Sequence, residues 1–465
     1  MTALHDLSAV AMLDGYRRKS FSPSEVMKAV IANIEAWEPR LKALYAFDPE
    51  AALRAAAAAS ERWSRGAPGG PLDGVPTTIK ENIATKGTPV PLGTAATVLA
   101  PAADDAPPAA RLREAGAICI AKTTMPDYGM LSSGLSSFHA LARNPWDLSK
   151  NPGGSSAGAG AAAAAGYGPL HLGTDIGGSV RLPAGWCGIF TLKPSLGRIP
   201  IDPPYPARVA GPMTRSVADS ALMMAVLSDP DRRDHMSLPH SDIAWHALDA
   251  FNPRGLRVGL LLDAGVGMAV EPEVKAAVEA AADAFAKLGA EIRPMAPIMN
   301  RAMLDGLDEF WRARSWDDIS RLPPERREKI LPYILRWAER GQGLSGLAVI
   351  RGFNRTIEMR AAAARACRDV DFVLSPTAPG PSYPAEHASP VNDPEKPFEH
   401  IAFTVLWSMS EQPAASINCG YTSGGLPIGL QIAGQRFDDL GVLRMAALYE
   451  RIRPAQRAWP KPPRS

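Results

Sequence analysis

Apolar and polar positions along the chain follow two periods. Val26, Val30, Ile34 and Trp37 recur at the spacing of one helical face, and Ser22-Pro23-Ser24-Glu25 supplies a capping box with proline in the first turn. This pattern predicts a helix that Pro39 ends. An alanine-rich run over 49–64 predicts a second helix, and the Pro/Gly-punctuated 66–70 a loop. Residues 75–79 then read as a short buried strand leading into Lys80. Residues 117–121 read as another, after a helix that stops at Gly116. The texture returns later: a strand at 256–262, a helix at 271–288 followed by Gly289, a strand from 290, and an apolar run at 370–374 closed by Ser375-Pro376. Helices alternating with buried strands predict an α/β fold.

Between 297 and 352 the pattern changes to short amphipathic helical stretches carrying Trp311, Trp316 and Trp337. Two readings stand for this segment: peripheral helices, or a cap that faces a substrate. The chain has no internal repeat, and only the Pro/Lys/Arg-rich tail beyond Ala458 reads as disordered.

Composition acts mainly by exclusion. With 465 residues, 46% hydrophobic and 21% charged, the chain is ordinary globular material able to bury a large core. Fifty basic against 48 acidic residues leave +2, too balanced to point to an anionic partner. No basic run is interleaved with aromatics, so nucleic-acid binding is not expected. Cys119, Cys187, Cys367 and Cys419 form no CxxC pair; free buried thiols are expected, and no metal site. Residues 1–17 lack a basic-then-apolar pattern. The longest apolar stretch, 159–168, falls well short of the roughly 18 residues a membrane span needs. A cytoplasmic protein with no membrane partner is the expectation.

The chemistry concentrates in the middle. Asn151-Pro152-Gly153-Gly154-Ser155-Ser156-Ala157-Gly158 precedes an alanine-rich helix, and Gly173-Thr174-Asp175-Ile176-Gly177-Gly178-Ser179-Val180-Arg181 follows it. A phosphate-binding loop would need GxxxxGK[ST] or GxGxxG after a strand, and neither is present. Gly154-Ser155-Ser156-Ala157-Gly158 fits GxSxG with Ser156 as nucleophile. That reading needs a downstream catalytic histidine, and neither His387 nor His400 stands in such a context. The third reading pairs a serine with a lysine base. Lysine serves when burial holds it neutral, and a Gly-Gly-Ser turn can bring successive N–H groups to one point. Taken singly, each residue has a plainer reading: Lys80 a surface lysine, Ser155 a helix cap, Ser179 a turn residue.

Jointly, these stretches resemble the amidase signature family. The resemblance extends to Pro71-Leu72-Asp73-Gly74-Val75-Pro76, Ile79-Lys80-Glu81-Asn82, Arg143-Asn144-Pro145-Trp146-Asp147, Cys187-Gly188, Leu192-Lys193-Pro194 and Gly425-Leu426-Pro427-Ile428-Gly429-Leu430-Gln431. It covers nearly the whole chain. It implies an α/β/α fold around a large twisted mixed sheet, as a single domain over 1–465. Within it, 1–65 is an N-terminal helical wrap, 66–200 holds the catalytic motifs and 297–352 is a variable substrate-facing segment. It implies Ser179 as nucleophile, Ser155 (after a cis peptide bond) as bridge and Lys80 as base. The backbone N–H groups of Ile176, Gly177, Gly178 and Ser179 would form the oxyanion hole, and Asp175 and Arg181 would brace it. Ala157 departs from the glycine or serine of many members, away from the chemistry.

By the same resemblance Tyr128, Gly129, Met130, Leu131 and Ser132 line the substrate pocket. They offer no arginine to grip a carboxylate, which favours a neutral apolar or aromatic substrate. The chain is similar to bacterial aryl acylamidases and urethanases. The expected activity is hydrolysis of neutral acylamides, with carbamates and esters as further substrates and no cofactor. Two alternatives remain: the amidase subunit of a glutamyl-tRNA amidotransferase, and an inactive interaction protein of the same fold. A monomer or homodimer is expected, and 203–207 and the stretch after 297 are candidate lids.

Overall fold

Alternating helices and buried strands build one mixed sheet. The computed structural model describes residues 3–249 and 251–463. The strands are β1 (Leu44–Tyr45), β2 (Pro76–Lys80), β3 (Ile118–Thr123), β4 (Leu170–Asp175), β5 (Phe190–Lys193), β6 (Val209–Thr214), β7 (Arg257–Leu260), β8 (Glu291–Pro294), β9 (Phe372–Pro376), β10 (Ala414–Tyr421) and β11 (Pro427–Gly434). Their order is β1-β3-β2-β4-β6-β5-β10-β11-β9-β7-β8. β2 runs parallel to β3 and β4, and β7 parallel to β8 and β9; the remaining pairs are antiparallel.

Helices cover both faces of this sheet. Successive strand residues point to opposite faces, and the two main apolar clusters divide accordingly. Phe372, Leu374, Ala415, Ile417, Leu430 and Ile432 join one cluster with the helices Pro23–Leu41, Pro272–Lys287 and Asp439–Ile452. Val373, Ala414 and Ala433 join the other with Arg301–Ser320, Pro332–Glu339, Gly346–Ala366 and Ala402–Met409.

The alanine-rich helix is Ala157–Ala165, and every one of its residues is buried. A helix apolar on all sides belongs inside, and its glycines permit the fit. A Cβ on Gly158 would stand 2.2 Å from Ala43 O, and one on Gly160 2.8 Å from Pro183. This helix joins the Ser155 loop to β4. Because β2 and β4 are parallel, with Ile79 opposite Leu172, their C-terminal ends lie side by side. Ligand sites in parallel sheets form at such ends.

Two expectations need correction. Pro39 does not stop its helix, which runs from Pro23 to Leu41 and ends where Lys42 turns left-handed at φ 55. A proline so near the end removes one N–H bond, and the half-turn beyond it persists. The tail beyond Ala458 is held at its start: Trp459 packs on Trp146 with ring centres 6.0 Å apart, and Arg215 lies 4.4 Å over it, while residues 464 and 465 lie outside the described residues.

Candidate active site

Lys80 closes β2 and is fully buried. Its Nζ donates to Ser155 Oγ at 2.8 Å and Thr174 Oγ1 at 3.0 Å. Asn82 Nδ2 donates to the same threonine oxygen at 3.2 Å. Burial lowers the Lys80 pKa to about 7, against the opposing pull of Glu81 and Asp175. A large share of Lys80 is therefore neutral near physiological pH and able to accept a proton.

Ser155 follows a cis Gly154–Ser155 peptide bond. It is not the helix cap: Ser156 holds that position. Ser156 is also excluded as nucleophile. Its buried hydroxyl donates to Thr174 O at 3.1 Å and accepts from Thr174 N at 3.2 Å, pinning the loop to β4. The histidine that a GxSxG reading requires is missing as well. His400 is buried with no partner on either ring nitrogen, and His387 engages Ser133 and Asn151 through its carbonyl.

Ser179 is distinguished by access. From Asn151 to Ile201 every residue is buried except Ile176 and Ser179. The backbone ties this turn to the Ser155 loop, because Ser156 N donates to Ser179 O at 3.1 Å. Asp175 organises the turn from beneath. It accepts from Gly178 N at 2.9 Å and Val180 N at 3.1 Å, and pairs in bidentate fashion with Arg181 Nε and Nη2, one edge of the guanidinium. Arg181 also donates to Thr404 O, Gln431 Oε1 and Ser408 Oγ. Despite its burial, Asp175 has its pKa held to about 2 by Arg181.

This arrangement narrows the expected oxyanion hole. The Gly178 N–H is turned into Asp175 and is not free. Among the described residues, the N–H groups of Ile176, Gly177 and Ser179 meet no acceptor within the protein. Gly178 has φ +128, and a Cβ there would stand 2.5 Å from Thr404 Oγ1. Thr404 Oγ1 in turn donates to Gly177 O at 2.6 Å.

Around Ser179 lies a narrow cavity of about 40 Å³. Four of the expected pocket residues line it: Gly129, Met130, Leu131 and Ser132. Tyr128 does not; it faces a neighbouring chamber of about 390 Å³. Trp311, Arg314, Phe398 and Ile401 complete the first cavity; of these only Trp311 stands out in the sequence, as a tryptophan of the 297–352 segment. The segment 297–352 therefore reaches the site through Trp311 and Arg314. A larger cavity, about 500 Å³, lies against β3 near Cys119 and contains none of Lys80, Ser155 or Ser179. Among the described residues no cluster of metal-ligating side chains occurs, and no helix is long and apolar enough to cross a membrane.

The fold and these motifs define a hydrolase of carbon–nitrogen bonds built on a mixed α/β sheet. The chain belongs to the amidase signature family: the family model Amidase matches residues 25–443. It is 33% identical over 461 residues to an acylamidase of Rhodococcus erythropolis, covering 97% of this chain and 96% of that one. It is 34% identical over 491 residues to a glutamyl-tRNA(Gln) amidotransferase subunit of Chloroflexus aggregans, covering 97% of each. Its fold superposes on the crystal structure of a bacterial aryl acylamidase of the same family with a TM-score of 0.89, at 28% identity and 97% coverage of each chain.

Proposed function

We propose that the chain is an acylamidase that works through Ser179, Ser155 and Lys80. The observation that carries this reading is the 2.8 Å contact between Ser155 Oγ and a lysine that burial holds near neutrality. Ser179 attacks the carbonyl while its proton passes to Ser155, and the Ser155 proton passes to neutral Lys80. The N–H groups of Ile176, Gly177 and Ser179 hold the developing oxyanion, each worth about 3–4 kcal/mol of barrier. The relay then runs backwards, and Ser155 delivers a proton to the leaving nitrogen. Water repeats the cycle on the acyl-enzyme.

The acyl group faces Met130, Leu131, Trp311, Phe398 and Ile401. The cavity lining is apolar apart from Ser132, Ser179 and Arg314, the last of which also faces the neighbouring chamber, and it suits a neutral aryl or alkyl acyl group. Esters and carbamates present the same carbonyl to the same relay and are further substrates. The test is release of nitroaniline from p-nitroacetanilide by wild type and Ser179→Ala, beside a p-nitrophenyl carbamate and glutamine. Nitroaniline release that depends on Ser179 supports the reading; undiminished release by Ser179→Ala overturns it.

The second reading, one component of an amidotransferase, is favoured by the 34% identity to such a protein over nearly the full chain. Activity on glutamine alone, appearing only with partner subunits, would establish that alternative.

A further inference from the structure

The 128–132 stretch contains no arginine, but the fold brings two to the site from elsewhere. Arg314, on the helix Arg301–Ser320, lines both the Ser179 cavity and the 390 Å³ chamber beyond it. Arg208, just before β6, lines the same chamber. Both are half-buried. Arg208 donates to Pro203 O, and the Arg314 guanidinium lies 4.1 Å over the Tyr205 ring.

Neither has a counter-ion among the described residues; half-buried Arg326 and Arg444 share that trait, bonding only carbonyls, but Arg208 and Arg314 are the arginines that line the chambers at the site. The chain's well-buried arginines are paired: Arg181 with Asp175, Arg198 with Asp439, Arg312 with Asp308. Among the described residues neither Arg208 nor Arg314 has a carboxylate at ion-pair distance. Asp202 and Asp318 stand on the chamber wall, exposed, and reach neither. Burial first, and then the charge of Arg314, hold Arg208 below the ordinary arginine range. The two guanidiniums line one chamber and their charges repel, and a carboxylate shared between them would relieve that repulsion with charge-assisted hydrogen bonds.

The chamber's position says which part of a substrate enters it. Asn82 lines it, and Asn82 also bonds Thr174, the hydroxyl that Lys80 contacts. The chamber therefore adjoins the base side of the site. A leaving nitrogen must face that side to receive its proton through Ser155. Val90, Leu92 and Ile334 give the chamber an apolar wall suited to an aryl or alkyl spacer.

We propose that Arg314 and Arg208 form a carboxylate-recognising subsite for the amine half of the substrate, so that the preferred substrates are neutral acyl groups on amines bearing a remote carboxylate. This rests on the proposed reading of Ser179 as nucleophile, and departs from the sequence-based expectation of a neutral substrate on the amine side only.

The test compares three anilides: acetanilide, 4-acetamidobenzoate with its carboxylate on the amine side, and succinanilate with its carboxylate on the acyl side. Wild type should favour 4-acetamidobenzoate over acetanilide by about 10-fold or more in kcat/KM, the size of a hydrogen bond to a charged group. Arg314→Gln and Arg208→Gln should collapse that ratio, chiefly through KM, and Arg314→Lys should keep part of it. The ratio is unaffected by a general loss of folded enzyme. An unchanged ratio in the glutamine variants, or an arginine-dependent preference for succinanilate, overturns the proposal. Binding of the same compounds to Ser179→Ala, by calorimetry, separates the two claims. Arginine-dependent preference for 4-acetamidobenzoate without turnover in wild type would leave the subsite standing while the acylamidase reading falls. Equal binding of acetanilide and 4-acetamidobenzoate would overturn the subsite.

Discussion

Lys80 sits where burial and reactivity conflict. Its pKa, about 7, means the folded chain holds it largely uncharged at pH values where the unfolded chain protonates it. The unfolded state therefore binds more protons between pH 7 and the ordinary lysine value of 10.5, and this group makes stability rise with pH across that window. Lys193, equally buried and also near 7, acts in the same direction. Lys80→Met should abolish amide hydrolysis, raise the melting temperature at pH 7, and flatten the pH dependence of stability above it; calorimetry from pH 6 to 9 checks this. The same pKa sets catalysis. The proposed base works only when neutral, so kcat/KM should climb with pH through about 7 and then level. A profile flat from pH 5 to 9 would count against a lysine base.

At the scale of elements, the turn after β4 depends on groups beneath it. Removing Arg181 leaves Asp175 as an unpaired buried carboxylate, a loss of about 3–5 kcal/mol. Arg181→Ala should therefore lower stability by that order in urea unfolding, and activity should fall further as Gly178 and Val180 lose a fixed anchor. Gly178→Ala acts more locally. Its Cβ would meet Thr404 Oγ1 at a φ of +128, so the turn must shift, and a misaligned oxyanion donor costs about 100-fold or more in kcat.

This is also the scale at which the sequence is only partly readable. The helix from Pro23 carries clear periodicity, 49–64 is legible as an alanine-rich run, and β2 and β3 as short buried runs. β4 and β6 are not legible, because Gly173, Gly211 and Pro212 read as turn residues. Their glycines answer to neighbours far along the chain: a Cβ on Gly211 would stand 2.4 Å from Leu192 O, and one on Gly173 2.7 Å from Ser156 Oγ. Lys80, Ser155 and Ser179 are legible because each lies in a compact motif. The pocket is not. Trp311, Arg314, Phe398 and Ile401 arrive from segments more than 100 residues beyond Ser179; the 297–352 texture points to Trp311, and no local pattern marks the other three.

Over the whole molecule, the candidate site lies at the ends of β2 and β4, third and fourth of the eleven strands, and helices packed on one face of the sheet complete its lining. The segment 297–352 belongs to that face: Trp311 closes the cavity over Gly177, with the indole 3.3 Å from where a Cβ would stand. Trp311→Ala should open the acyl side and shift preference toward larger acyl groups, seen as a change in relative kcat/KM across a series of p-nitroanilides of rising chain length.

The central claim is that Ser179 forms the acyl-enzyme, and trapping that intermediate tests it most directly. An activated carbamate such as p-nitrophenyl dimethylcarbamate carbamoylates the nucleophile and is released slowly. Ser155, Ser156 and Ser179 fall within one tryptic peptide, 151–181, so tandem mass spectrometry must locate the label within it. The account expects one carbamoyl group on Ser179 in wild type and none in Ser179→Ala. A label on Ser155 or Ser156 that persists in Ser179→Ala would contradict it.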